Sequence, residues 1–427
     1  MSRLSRRQML TLLGAGAVGA AVAGLRPSTG GAPHPRYFAD LARALKQAGI
    51  ATPTLVIDRR QLHANVGRIM HNIGGRTQLR VVAKSLPCAA LLDEVRQLTA
   101  SRRLMVFNLP QLLLTARGPA DILLGKPLPA AAAAAFYRQF RPDGFAPEHQ
   151  LQWLIDTPAR LAQYRELARA QQVTLRVNVE IDVGLHRGGV NDMQTMQDML
   201  ALLAREPRLQ WAGLMGYDAH VAKIPDLPGL RQEARQHAQA RYAAYAAAVR
   251  AHPAFAVAAR GATYNAAGSP TYRLYDGSGV ENELSVGSAM LKPSDFDTSL
   301  LADLAPAVYI ATPVLKAPPR FMMPYGVEWL GEAASLWDAN QQQAYFIYGG
   351  NWLADPVSPP GLAASSLYGT SSNQQVLTGS GRQRLAPDDI VFFRPRQSEA
   401  VLLQFGDIAL YEEGRITQMW QPMPATA

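Results

Sequence analysis

The chain has 427 residues, 48% of them hydrophobic, with 42 basic against 33 acidic side chains and one cysteine, Cys88. That length predicts about two to three compact units, and the ordinary apolar content excludes a disordered chain or a multi-span membrane protein. A lone cysteine excludes an internal disulfide and any thiolate cage for zinc or iron–sulfur.

The N-terminus reads as an address. Ser5-Arg6-Arg7-Gln8-Met9-Leu10 resembles the twin-arginine export motif, followed by a Gly/Ala-rich apolar stretch over 11–25 and a small-x-small site at Ala21-Val22-Ala23. The stretch is shorter than the roughly 20 apolar residues a membrane span needs, so an uncleaved signal is the one route to membrane attachment. The expected location is the periplasm or another exported site, with 1–35 as signal and linker, its last part the Pro/Gly-rich 27–35. Four arginines in the first 26 residues, with no acid, leave +5 of the formal +9 for the remainder. No run of five basic residues occurs and aromatics are not interleaved with arginines, which argues against a nucleic-acid partner.

Helical spacing follows at 37–48 and a short apolar strand at 53–58. Strand patterns then recur at 79–84, 104–108, 121–125, 151–156, 174–182, 209–217, 257–263 and 283–290. Helix patterns fall between them at 60–72, 88–99, 130–140, 158–171, 193–205 and 230–250. Eight such units predict an α/β fold of the (β/α)8 TIM-barrel type over 36–298, although a doubly wound open sheet gives a similar pattern. Beyond it, 299–427 predicts a smaller, mostly β domain with strands at 308–315, 344–348, 390–393, 400–404 and 407–411 and no long helix. The strand at 53–58 is expected to join that β-domain.

Only six lysines occur, and Lys84 ends the first barrel strand (Arg80-Val81-Val82-Ala83-Lys84). Barrels place reactive groups at such strand ends, and an apolar surrounding favours the neutral amine a covalent lysine needs. A lysine capping a strand end and reaching solvent has the same pattern. Two turns lie at the opposite rim: Asn265-Ala266-Ala267-Gly268-Ser269-Pro270-Thr271 and Ser285-Val286-Gly287-Ser288. Loops after strands seven and eight of such a barrel bind phosphate through backbone N–H groups and hydroxyls. Together with a strand-one lysine, they suit pyridoxal 5'-phosphate. No GxxxxGK[ST] occurs, which disfavours a nucleoside triphosphate.

These residues carry a resemblance to the fold-type III pyridoxal-phosphate enzymes of the D-threonine aldolase and D-serine dehydratase-like family, within the alanine racemase N-terminal barrel superfamily. Thr52-Pro53-Thr54-Leu55-Val56-Ile57-Asp58 resembles its opening strand, followed by a helix bearing Asn65. Ala83-Lys84-Ser85 resembles its cofactor-lysine segment, and Val179-Glu180-Ile181-Asp182-Val183-Gly184-Leu185-His186-Arg187-Gly188-Gly189-Val190 its V-E-[IV]-D-x-G-x-x-R-x-G-V signature. Gly213-Leu214-Met215-Gly216-Tyr217 resembles the strand bearing an active-site tyrosine. The resemblance implies that Lys84 bonds the cofactor and moves the substrate's α-proton, that Arg187 lies by the cofactor ring, and that Tyr217 shares proton transfer. It further implies that Gly268, Ser269, Thr271, Gly287 and Ser288 hold the phosphate, and that the protein is a homodimer. On pattern alone, Arg187 also suits a salt bridge to Asp182 or Glu180, and Tyr217 a barrel-filling aromatic.

One departure stands out. The family's divalent-metal site lies after a proline in the C-terminal domain, and here that stretch reads Arg394-Pro395-Arg396-Gln397-Ser398-Glu399. Gln397 stands at the histidine position and Ser398 or Glu399 at the second metal-ligand position, and without imidazole or thiolate they form a poor transition-metal set. The eight histidines, His63, His71, His186 and His220 among them, show no H-x₃-H or HExxH pattern. The overall family resemblance implies a lyase acting at Cα/Cβ of an amino acid, expected to be the D enantiomer. A metal-independent racemase and a non-catalytic pyridoxal-phosphate binder are the alternatives, and a barrel that has lost the cofactor is a further one.

Overall fold

The computed structural model describes residues 26–225 and 227–424; the export motif and cleavage site expected within 1–25 lie outside the described residues. Two compact units are present. One holds the described residues up to Thr54 with Tyr309–Arg394 and Glu413–Ile416; the other holds Leu55–Val308, Pro395–Glu412 and the described residues from Thr417. Among the described residues no helix is long and apolar enough to cross a membrane.

In the larger unit, β1 (Thr54–Asp58) stands outside the barrel and pairs in parallel with the strand Ile408–Glu412, Val56 opposite Ala409. Asp58 ends β1 and caps the next helix, Arg59–Ile73, by accepting from the Gln61 N–H at 2.9 Å. Asn65 on that helix donates to the carbonyls of Met290 (2.8 Å) and Ala305 (2.7 Å), tying it to the chain after the last barrel strand.

Eight strands close the parallel barrel in sequence order: β2 (Gln78–Val82), β3 (Arg103–Val106), β4 (Asp121–Leu124), β5 (Leu151–Ile155), β6 (Leu175–Ile181), β7 (Leu209–Gly216), β8 (Thr263–Ala266) and β9 (Glu283–Val286). β9 returns to β2 with Gln78 opposite Glu283 and Val81 opposite Val286. Helices connect the strands, and their capping residues follow the local sequence. Asn108, Thr157 and Asp192 each accept from a backbone N–H in the first turn of the following helix.

Part of the barrel interior is polar. Arg80 is fully buried, donating to Glu283 (2.9 Å), to Asp121 Oδ1 (3.0 Å) and to the Leu104 and Asp121 carbonyls (both 2.8 Å). Asn265 donates to Glu283 at 2.8 Å and Ser285 to Asn265 at 3.0 Å. Burial alone would strip a charge from Arg80, but the carboxylates of Glu283 and Asp121 outweigh it and raise the guanidinium pKa further.

The seventh barrel strand differs from expectation. Residues 257–263 were to form it, yet Ala258–Arg260 is a 3₁₀ turn and the strand is Thr263–Ala266. Pairing decides this: Gly213 to Met215 of β7 face Thr263 to Asn265, which leaves the apolar stretch before Gly261 outside the barrel. The eighth strand ends at Val286, not at 290, where the chain turns into the one-turn helix Ser288–Leu291.

The smaller unit is β-rich. β10 (Val308–Lys316) pairs antiparallel with the strand Ile390–Pro395 and with β11 (Gln343–Tyr348), and β11 pairs with the strand Gln374–Gly379. The helix Arg36–Gln47 lays Phe38 against Tyr309 and Phe392, with ring centroids 5.1 and 5.0 Å apart. Two expectations for the C-terminal region are corrected. A ten-residue helix, Glu328–Trp337, interrupts the strands, and the chain at Ala400–Leu403 forms a 3₁₀ turn where 400–404 was expected as a strand.

Candidate active site at the carboxyl ends of the barrel strands

Every element of the site leaves the barrel at the same rim. Val82 ends β2, and the 3₁₀ turn Ala83–Ser85 carries Lys84 out beside it. Phe107 follows β3, Gly125 follows β4, Tyr217 follows β7, Gly268 follows β8 and Gly287 follows β9. Together with Arg187, Ser269, Ser288, Phe296 and Glu399 these residues line one pocket.

Lys84 is about one-third exposed and its Nζ forms an ion pair with Glu399. The Phe107 ring lies under the ammonium, 4.8 Å from Nζ to the centroid. Glycine at 125 makes room for that ring, because a Cβ there would fall 2.3 Å from two of its carbons. On the other wall, the Arg187 guanidinium covers the Tyr217 ring at 4.8 Å. Burial pushes the Tyr217 phenol above its ordinary pKa, and the Arg187 charge opposes the shift. Gly268 admits the same ring edge-on, since a Cβ at 268 would sit 2.4 Å from Tyr217 Cε2.

The turns after β8 and β9, expected across the barrel mouth from Lys84, lie beside it, because β9 pairs with β2, and they are built of hydroxyls and backbone amides. Ser269 Oγ accepts from the N–H groups of Gly287 (3.1 Å) and Ala289 (3.0 Å). Ser288 Oγ bonds Ser85 Oγ at 2.9 Å and Ser398 Oγ at 2.7 Å, all three buried. Thr271, expected among the phosphate residues, does not line the pocket. It is fully buried and donates to Asp218 Oδ1 at 2.6 Å, while the Tyr275 hydroxyl donates to Oδ2 at 2.8 Å. Burial raises the Asp218 pKa against those two hydrogen bonds. Thr271 thus anchors the Gly268–Ser269 turn from behind.

The long signature folds as a closed loop. The Asp182 N–H donates to Val190 O (2.9 Å), and the Val190 N–H to Glu180 O (2.8 Å). The Asp182 carboxylate accepts from the N–H groups of Gly184 (2.9 Å) and His186 (3.0 Å) and meets His186 Nδ1 at 2.6 Å. Burial opposes ionisation of Asp182, but these bonds outweigh it and hold its pKa down. Asp182 is thereby committed to the loop and to His186, while Arg187 stands over Tyr217. Glu180 is pushed up to about 7 by burial and by Asp156, with Arg187 opposing.

At the two positions matching the family's metal ligands, the side chains diverge. Gln397 donates to Asp295 Oδ2 at 3.1 Å in an exposed position, whereas Glu399 turns to Lys84. Among the described residues no group of three or more His, Cys, Asp or Glu side chains is arranged to hold a metal. Phe107, Asp218 and the contact of Glu399 with Lys84 were not foreseen. Phe107 and Asp218 carry no local motif, and Glu399 reaches the site from far along the chain.

The comparisons agree with this architecture. The family model for the alanine racemase N-terminal domain matches residues 57–295. Among curated proteins, none matches the sequence significantly. Among solved structures, the chain is similar to D-threonine aldolase from Filomicrobium marinum at 18% identity and TM-score 0.65, over 88% of this chain and 95% of that one. It is similar to D-threo-3-hydroxyaspartate dehydratase from Delftia sp. HT23 at 16% identity and TM-score 0.66, over 88% and 98% of the two chains. Alanine racemase from Clostridium difficile 630 matches at 12% identity and TM-score 0.64, over 87% and 98%. At these identities the likeness establishes the fold.

Proposed function

The chain belongs to the alanine racemase N-terminal domain family, and from that premise we propose that it binds pyridoxal 5'-phosphate and acts on an amino acid as a D-amino-acid lyase. The observation that carries this reading is the convergence on one pocket of a single primary amine, Lys84, and a rim of serine hydroxyls and glycine backbone at Gly268, Ser269, Gly287 and Ser288. That donor set fits the cofactor: an amine for its aldehyde, and hydroxyl and amide donors for its phosphate. Arg187 and Tyr217 would flank the ring, while Thr271 supports the phosphate turn through Asp218.

Bound there, pyridoxal phosphate supplies an electron sink for the pair left on Cα when a bond to that carbon breaks. Lys84 Nζ would hold the cofactor and would move a proton at the substrate's Cα. Arg187 would place a guanidinium beside the Tyr217 phenol. Phe107, Met105, Met215 and Pro270 supply the apolar part of the pocket wall.

Lyase chemistry at Cα/Cβ is favoured by the fold shared over nearly the whole chain with an aldolase and a dehydratase of D-amino acids. Racemisation is the second reading, supported by the divergence of Gln397 and Glu399, because racemisation requires no metal. The expected export by the N-terminal signal and the expected homodimer form part of the proposal. Cell fractionation and the solution mass of the purified protein check them.

The test is spectroscopic. Purified wild type, alone or with added pyridoxal phosphate, is expected to show a visible band that Lys84→Ala lacks. Its absence from wild type would overturn the cofactor reading. D-threonine, D-serine and both alanine enantiomers, with and without Mn²⁺, then separate the two reactions: aldehyde or keto-acid release marks the lyase, and loss of optical rotation alone marks the racemase.

A further inference from the structure

Glu399 has no part in the chemistry above, yet its carboxylate meets the Lys84 ammonium directly. A second contact fixes the same neighbourhood. Ser398 Oγ bonds Ser288 Oγ at 2.7 Å, and Ser288 Oγ bonds Ser85 Oγ at 2.9 Å. Residues 84–85 and 398–399 are thus joined at adjacent points, one ionic and one through a buried hydroxyl chain that includes the phosphate-side turn. The Phe107 ring closes a third side of the amine. An ionised carboxylate only accepts hydrogen bonds, so an amine that donates to it has one N–H committed and its other bonding directions turned elsewhere.

We propose that Glu399 is a positioning residue for Lys84: it holds the amine in place during the part of the reaction in which Lys84 is not bonded to the cofactor and moves the proton at Cα. The inference rests on the cofactor reading above. In that step the Cα–H bond breaks, its proton goes to Nζ, and the electron pair stays on Cα, drawn into the ring of the bound cofactor; the reverse step returns the proton. A lysine amine swings on a flexible four-carbon stem, and a misplacement of about 1 Å can cost about 100-fold in rate. Before loading, the same contact occupies the amine and slows its reaction with the aldehyde.

The experiment compares wild type, Glu399→Ala and Glu399→Asp, each loaded with pyridoxal phosphate. It follows by proton NMR the exchange of glycine Cα protons with deuterated water. Glycine has no side chain, so the assay isolates the proton step. Glu399→Ala is expected to keep the visible band, to slow exchange by about 10- to 100-fold, and to change the glycine KM by less than about threefold; Glu399→Asp restores part of the rate. In a readout independent of turnover, cofactor-free Glu399→Ala takes up pyridoxal phosphate up to about fivefold faster, the range of an exposed ion pair. Exchange in Glu399→Ala within about twofold of wild type overturns the positioning role, as does loss of its visible band or a loaded wild type that exchanges no Cα proton. A wild type without a visible band overturns the cofactor reading itself, and the positioning role with it.

Discussion

Glu180 offers a quantitative test of how the signature loop is held. β5 and β6 run in register with Ile155 beside Val179, so Asp156 and Glu180, one residue further on, stand side by side. Burial and this neighbouring carboxylate push Glu180 from 4.5 up to about 7, against the attraction of Arg187. The folded protein therefore binds this proton more tightly than the unfolded chain does. The stabilisation is complete below about pH 4.5 and is lost as the pH rises to about 7. At about 1.4 kcal/mol per pKa unit the full displacement corresponds to about 3 kcal/mol, nearly all of it lost between about pH 5 and pH 8. Glu180→Gln keeps the shape and removes the titration. Urea unfolding of both proteins across this range should show the variant gaining about 2–3 kcal/mol relative to wild type as the pH rises, because every other titrating group cancels in the difference. Parallel stability profiles for the two proteins, or a gap that closes with rising pH, would refute the argument that a buried proton sits here.

Other predictions follow from single contacts. Thr271→Val removes a hydrogen bond to the buried Asp218. It should cost about 1–3 kcal/mol in unfolding free energy and weaken pyridoxal phosphate uptake, read from the visible band. Arg80→Ala strands Glu283 without its main partner and should destabilise the barrel by about 3–5 kcal/mol, measured by thermal unfolding. Gly125→Ala drives a methyl group into Phe107. It should cost about 1–3 kcal/mol and lower the rate of Cα exchange, with the far-UV spectrum unchanged. Replacing Arg6 and Arg7 together by lysine should retain the protein in the cytoplasm in a fractionation assay, with the purified protein's stability unchanged.

Much of this protein was legible in its sequence. Eight apolar runs with helices between them indicate a parallel α/β fold, because strands covered on both faces lack the polar alternation of a one-sided sheet; the pairing of β9 with β2 closes it into a barrel. The rarity of lysine made Lys84 visible, and the glycine and serine turns after strands seven and eight marked a second wall of the same pocket. These are local signals, encoded within a few residues of the group concerned. The boundaries that shifted were settled by partners elsewhere: β8 begins at Thr263 because β7 offers its pairing edge there, and residues 400–403 turn as a 3₁₀ segment in place of extending. Thr271 looks like a phosphate residue from its place in the turn, and only the approach of Asp218 shows that its hydroxyl is already engaged. Glu399 is the clearest case. Its sequence position says only that a carboxylate stands where relatives place a metal ligand. Its meeting with the Lys84 amine depends on chain closure across the whole barrel, and no spacing rule encodes such a long-range contact. Composition and local pattern thus determined the α/β class and singled out Lys84, whereas tertiary packing decided the closure of the barrel, which acid faces that lysine and which hydroxyls are already engaged.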